Sequence, residues 1–247
     1  SLRLGQVTDT QDSTGTVLEE HPVPAAPAAA VAALLPHFTG TIDQIPPMYS
    51  ALKVDGKKLC DLARAGKEVE RKARRVQILE ISILNMELPR VSIRVTCSKG
   101  TYIRTLCDDI GRELGTGGCM EHLLRTRVDR FLVEDSLKLD EIEQLRDMDG
   151  LEEKIYTVEE ALEAYPAVYT LPEGDKNLKN GNPCFRQQLD FLRDGAPEIW
   201  EDGDRFRFYN SEGRFKGVYQ YQEEKHWWKP WKMFDLDPDT FKGAARP

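Results

Sequence analysis

The 247-residue chain has no apolar run long enough to cross a bilayer. Its longest uncharged stretch, Pro22 to Ile42, is rich in alanine and is broken by Pro24, Pro27 and Pro36. No basic-then-apolar leader precedes that stretch. Cysteine is scarce. The five thiols (Cys60, Cys97, Cys107, Cys119, Cys184) are odd in number and contain no C-x-x-C pair, which excludes a disulfide framework and predicts reduced thiols in a cytoplasmic setting. The four histidines (His21, His37, His122, His226) lack metal-ligand spacing with cysteine or with one another. A zinc site is therefore not expected. Phosphate loops, dinucleotide fingerprints and nucleophile elbows are also missing.

What is present suffices for a core: 40% of residues are hydrophobic and 31% charged. The formal net charge of -8 is unevenly spread. Residues 44–130 carry 17 Lys and Arg against 11 Asp and Glu, whereas residues 131–247 carry 16 against 26. A basic middle in an acidic chain suits either a polyanion partner or an ordinary solvated surface.

Apolar periodicity places a helix over Ala28–Phe38, and Tyr49–Val54 with Asp55-Gly56 reads as a hairpin. Leu59, Leu62 and Ala63 open a helix stopped near Gly66. Val76–Leu84 and the alternating Val91–Cys97 read as strands. Ile103, Leu106, Cys107, Ile110 and Leu114 line one helix face that ends at Gly115, Gly117 and Gly118. Leu123 and Leu124 are expected on a further short helix, and Val128–Val133 extended. An acidic stretch, Asp140–Glu153, and a helix over Val158–Ala164 follow. Beyond Pro166, short β-like runs between turn residues suggest a small all-β module. The order of elements predicts an α+β fold.

The most informative segment is S-K-G-T-Y-I-R-T, residues 98–105. With Thr101 as N-cap, Arg104 falls in a helix's first turn, where the helix dipole penalises a cation by about 0.3–1 kcal/mol. An anion should offset that cost: Asp108 at i+4, a carboxylate from elsewhere in the fold, or a nucleic-acid phosphate. Tyr102 beside it is either packed or functional. Asp9 and Asp12 are either paired carboxylates for acid–base work or turn-formers that accept backbone amides. Lys53, Lys57, Lys58 and the run Arg71–Arg75 are either a phosphate patch or a solvated face. Trp227, Trp228 and Trp231 either stack bases or form the core of the β module.

Three segments occur in order: L-R-L-G-Q-V-T-D-T-Q-D-S-T-G (2–15), Q-I-P-P-M-Y-S-A-L-K-V-D-G-K-K-L (44–59) and C-S-K-G-T-Y-I-R-T-L-C-D-D-I-G (97–111). With L-L-R-T-R-V (123–128), they resemble the successive motifs of the bacterial TruB tRNA pseudouridine synthases. The stretch containing N-G-N-P (180–183) resembles the PUA-type barrel appended to those enzymes.

The resemblance implies a mixed-sheet pseudouridine synthase domain over residues 1–164, a small all-β PUA-like barrel over 165–235 and a loose tail over 236–247. It implies cofactor-free isomerisation of uridine 55 in the T-loop of tRNA by base flipping, in a monomer. By the same resemblance, Arg104 matches the arginine that pairs with the catalytic aspartate, and Asp12 an acid of that charge network. Tyr102 matches an aromatic against the flipped base, Leu123 an apolar wall of the uracil pocket and Lys53 part of the RNA-facing surface. The family's nucleophilic aspartate lies in a G-x-L-D-P-x-A-T-G motif, which none of these residues reproduces. The chain alone is therefore expected to be inactive, with the missing segment supplied by a longer polypeptide or a partner chain. A non-catalytic tRNA-binding or RNA-folding protein is the alternative. A hydrolase using Asp9 and Asp12 fits the motifs poorly.

Overall fold

A computed structural model describes residues 1–23, 27–193 and 199–234. The chain divides into two compact units, Ser1–Ser136 and Leu137–Pro247. Residues 137–164, expected with the first domain, fall in the second unit by this division. Contacts of that segment run to the second unit: Arg207 Nη1 donates to the Glu159 carbonyl (3.5 Å) and Tyr209 Oη to Glu159 Oε2 (3.1 Å). The expected tail, 236–247, lies outside the described residues.

The first unit runs β1 (Leu2–Leu4), β2 (Gln6–Thr8), β3 (Val17–Glu20), α1 (Pro27–Leu34), β4 (Gly40–Gln44), β5 (Lys53–Val54), β6 (Lys57–Lys58) and α2 (Leu59–Arg64). It continues with β7 (Arg74–Glu87), β8 (Arg90–Cys97), α3 (Ile103–Glu113), β9 (Gly118–Met120), β10 (Arg127–Val128) and β11 (Phe131–Leu132). Its main sheet has the order β4-β7-β8-β1-β9 with antiparallel neighbours. A parallel bridge between Asp12 and Met120 ties the loop after β2 to β9.

Strand alternation sets the core. Leu2 and Leu4 are buried, whereas Arg3 between them pairs with Glu121 (3.1 Å). Against Leu2, Leu4, Ile78 and Val91 pack Val31 of α1 and Leu106 and Ile110 of α3. Each such side chain contributes about 1.5–3 kcal/mol by leaving water. Gly111 of α3 crosses Gly117 and Gly118 so closely that a Cβ there would overlap their backbone atoms.

Two expectations change in this unit. The helix expected through Phe38 ends at Leu34 and tightens into a 3-10 turn over Leu35–Phe38, because Pro36 has no N–H to continue the α-helical ladder. Leu123 and Leu124 are not helical. The amides of Glu121 and His122 bond the Ser1 carbonyl, and residues 121–126 form neither helix nor strand. The Asp55-Gly56 hairpin forms as expected between β5 and β6, both residues adopting positive φ (50° and 79°).

The second unit begins with α4 (Leu139–Asp147), within the acidic stretch, and α5 (Val158–Ala161). Thr157 and Glu160 cap α5 reciprocally, through Glu160 N to Thr157 Oγ1 (3.2 Å) and Thr157 N to Glu160 Oε2 (2.7 Å). Then come β12 (Ala167–Thr170), α6 (Asp175–Lys179), β13 (Cys184–Phe185), β14 (Leu189–Asp190), β15 (Arg205–Tyr209), β16 (Phe215–Gln222) and β17 (Trp227–Met233). They form a six-stranded, barrel-like sheet of order β13-β17-β16-β15-β12-β14. Phe208, Tyr219 and Trp228 fill its interior. Of the three tryptophans, Trp228 is therefore core, whereas Trp231 is half exposed under the guanidinium of Arg205, 4.0 Å from its ring centre.

Candidate active site

The turn at residues 98–101 delivers Arg104 in a way the sequence did not specify. Tyr102, not Thr101, is the N-cap of α3, with φ −94° and ψ 104°. The Thr101 hydroxyl donates instead to the Ser98 carbonyl (2.9 Å) and closes the turn. Arg104 consequently lies in the first turn of α3, where the dipole disfavours it.

Its counter-ion is Asp12. Arg104 Nη1 lies 3.3 Å from Asp12 Oδ2, with side-chain exposures of 22% and 17%. Nη2 donates to the carbonyl of Tyr49. No other hydrogen bond or ion pair to Arg104 is found among the described residues, so N–H groups of the fork remain for a further anion. Asp108, the i+4 candidate, is engaged elsewhere: its Oδ2 accepts Gln11 Nε2 (3.0 Å) and Arg112 Nε (2.8 Å).

Asp12 is built as an anion. Burial pushes its pKa up. Hydrogen bonds from the Thr14 hydroxyl (2.5 Å), the Thr14 amide (3.0 Å) and Thr10 Oγ1 (3.0 Å), with the charge of Arg104, outweigh burial and hold it below the usual value. Its loop is clamped from both sides. Gln11 adopts a left-handed φ of 62°, accepts from Thr105 Oγ1 of α3 (2.7 Å) and receives the Met120 amide of β9 on its carbonyl (3.0 Å). Asp9 is a turn-former: Oδ1 accepts the Thr16 amide (2.8 Å) and Oδ2 the Tyr49 hydroxyl (3.4 Å). Both acids thus accept backbone amides as turn-formers, and Asp12 in addition pairs with Arg104.

Tyr102 stands two residues before Arg104, partly buried. Leu123 is half exposed three residues beyond Met120, and Lys53 is exposed on the β5–β6 hairpin. No hydrogen bond or ion pair joins Leu123 or Lys53 to the Arg104–Asp12 pair. Sequence reasoning missed the Tyr49 carbonyl, Gln11 and the hydroxyls of Thr10 and Thr14. The only hint was that all four lie inside the motif segments.

Asp109, next on α3, is partly buried. Desolvation first, then the neighbouring Asp108 charge, pushes its pKa up to about 6. The folded state therefore binds the extra proton between the ordinary 3.8 and about 6, and stability falls as pH rises through that window. Asp109→Asn should stabilise the chain at neutral pH by on the order of 1 kcal/mol once solvent screening of this partly exposed group is allowed for, and the gain should vanish near pH 4. Thermal unfolding at the two pH values checks this. An equal gain at both would refute it.

Two family models match the chain: TruB family pseudouridylate synthase (N terminal domain) over residues 1–103, and tRNA pseudouridylate synthase B C-terminal domain over 104–163. The tRNA pseudouridine synthase B of Clostridium kluyveri is 44% identical over 209 residues, covering 83% of this chain and 70% of the relative. The chain belongs to the TruB family. The protein of the same name from Lachnoclostridium phytofermentans is 45% identical over 205 residues, 80% of this chain and 66% of that one. The chain thus spans about two thirds of the length of these TruB relatives. Among solved structures, a chain of a Cbf5-Nop10-Gar1 complex aligns with a TM-score of 0.64 at 21% identity, over 94% of this chain and 64% of that one. A chain of an H/ACA RNP bound to a substrate RNA containing 2′-deoxyuridine aligns with a TM-score of 0.61 at 20% identity, over 87% and 63%. These two likenesses show the shared fold. The N-terminal TruB model takes in the Asp12 loop, the Lys53 hairpin and Tyr102, and the C-terminal model starts at Arg104.

Proposed function

We propose that this chain is the larger part of a cytoplasmic, monomeric tRNA pseudouridine synthase that isomerises uridine 55 in the T-arm. The observation that carries the reading is the Arg104 guanidinium, held by Asp12 at 3.3 Å and by the Tyr49 carbonyl, with donors to spare.

The reaction breaks the N1–C1′ bond, turns the base and joins C5 to C1′; C5 loses a proton and N1 regains one. A carboxylate must act at C1′ or C6 as nucleophile or base. In this reading that carboxylate comes from the family's G-x-L-D-P-x-A-T-G motif, outside these residues, and Arg104 keeps it ionised and aimed. The uridine must leave its stack at a cost of a few kcal/mol. Stacking on Tyr102 returns about 1–3 kcal/mol of that, while Leu123 walls the uracil. Lys53 and the exposed cations of the basic middle meet phosphates.

Mass analysis of a T-arm stem-loop tests the assignment. The polypeptide extended through that motif should form pseudouridine at position 55, and the 247-residue chain none. Tight tRNA binding without turnover by the extended polypeptide would favour the RNA-folding alternative. Turnover by the 247 residues alone would show that the carboxylate is within them.

A further inference from the structure

Gln44 takes no part in the charge network, yet it is among the most deeply buried polar side chains of the first unit. It is the last residue of β4 and is only 2% exposed. Its side-chain amide pairs both ways with one peptide unit far along the chain: Oε1 accepts the Tyr102 amide (2.8 Å) and Nε2 donates to the Tyr102 carbonyl (3.1 Å). Only one orientation of the amide satisfies both partners, since the N–H needs an acceptor and the C=O a donor.

The need for such a partner follows from helix geometry. Tyr102 is the N-cap of α3, so its N–H has no acceptor within the helix. Its carbonyl already receives the first helical amide, from Leu106 (3.0 Å), and Gln44 fills the second lone pair. Left buried and unpaired, these groups would cost about 1–3 kcal/mol.

The backbone of Gln44 leads to the other side of the same cradle. It pairs in register with Arg74 of β7 and runs directly into Ile45-Pro46-Pro47. The Pro46 carbonyl is held by Arg71 Nη1 (3.2 Å). Two residues past Pro47 comes Tyr49, whose carbonyl takes Arg104 Nη2. One residue therefore references both supports of Arg104 to a single strand: the start of α3 through its side chain, and the Tyr49 carbonyl through its main chain.

We propose that Gln44 is a positioning residue of the TruB site, holding Tyr102 against the flipped base and aiming the Arg104 fork, and this rests on the functional reading above. Displacing a reacting group by about 1 Å costs on the order of 10²-fold in rate. Gln44 should therefore act on kcat and leave tRNA affinity almost untouched.

The test uses the complete polypeptide. Gln44→Met keeps the length and bulk but removes both hydrogen bonds, and should lower kcat about 10²-fold while the Kd for tRNA moves less than about 3-fold. Gln44→Glu supplies the rescue. As a neutral acid it can offer the same donor and acceptor to Tyr102, but as a carboxylate it faces the Tyr102 carbonyl with no donor. The cations on the elements it joins are Arg104 and Arg112 on α3 and, on β7, Arg74, its register partner, and Arg75, while Asp43 precedes it on β4. The kcat of Gln44→Glu relative to wild type should therefore recover at least about tenfold between about pH 8 and about pH 5.5, an ionisation the wild-type profile lacks. Circular dichroism and thermal midpoints establish that the compared species are folded. If folded Gln44→Met keeps wild-type kcat, if folded Gln44→Glu keeps it at about pH 8 or fails to recover by about pH 5.5, or if affinity falls in step with kcat, this proposal alone is overturned. A wild-type polypeptide without turnover would overturn the functional reading, and this inference with it.

Discussion

On the proposed reading, replacing Arg104 by alanine in the complete polypeptide should lower kcat by about 10²- to 10³-fold, the scale of losing one preorganised donor to a charged reacting group. Binding of tRNA falls far less, because the side chain is mostly shielded and spends its fork on Asp12 and the Tyr49 carbonyl. Two effects combine. The reacting carboxylate loses its counter-ion, and Asp12 is left as a partly buried anion held only by Thr10 and Thr14. Arg104→Lys should restore little: an ammonium keeps the charge but cannot address a carboxylate, a carbonyl and a further anion in one plane. Single-turnover rates and filter binding on a T-arm substrate separate the terms. Parallel losses in rate and affinity would place Arg104 on an RNA phosphate and remove its role as a carboxylate partner.

Gly111→Ala should cause the largest loss of stability, about 3 kcal/mol or more, at the severe end of overpacking. The new methyl group would overlap the amide nitrogen of Gly118 and the carbonyl carbon of Gly117, which belong to backbone and cannot rotate away. Either α3 or β9 must move. Because α3 carries Arg104 and Met120 of β9 bridges Asp12, catalysis should fall along with stability. Gly118→Ala should be milder, since its closest meetings are 2.9–3.0 Å and one is with the mobile end of Leu2. Urea unfolding of the chain and both variants gives the comparison. An unchanged midpoint for Gly111→Ala would mean that the helix–strand crossing is looser than described.

The parts of this molecule that the sequence determined by itself are those governed by short-range periodicity and turn chemistry. Alternating Val91–Cys97 became β8, the apolar face from Ile103 to Ile110 became the buried side of α3, and Asp55-Gly56 made its hairpin. The motif segments also carried the family, because their residue types at fixed spacing need no knowledge of how they meet in space. Leu123 and Leu124 show the limit of that reasoning: apolar content suggested a helix, but a distant carbonyl, that of Ser1, claimed the preceding amides.

Only the tertiary structure decided who partners whom. Nothing local told Arg104 to choose Asp12, 92 positions away, over Asp108 on its own helix, or to take the Tyr49 carbonyl, 55 positions away. Gln44 and Tyr102, 58 positions apart, meet only because the end of β4 reaches the N-terminus of α3. Hydrogen bonds and ion pairs act over about 3 Å, so pairings at such sequence separations exist only once sheet register and helix crossing have brought the chain together.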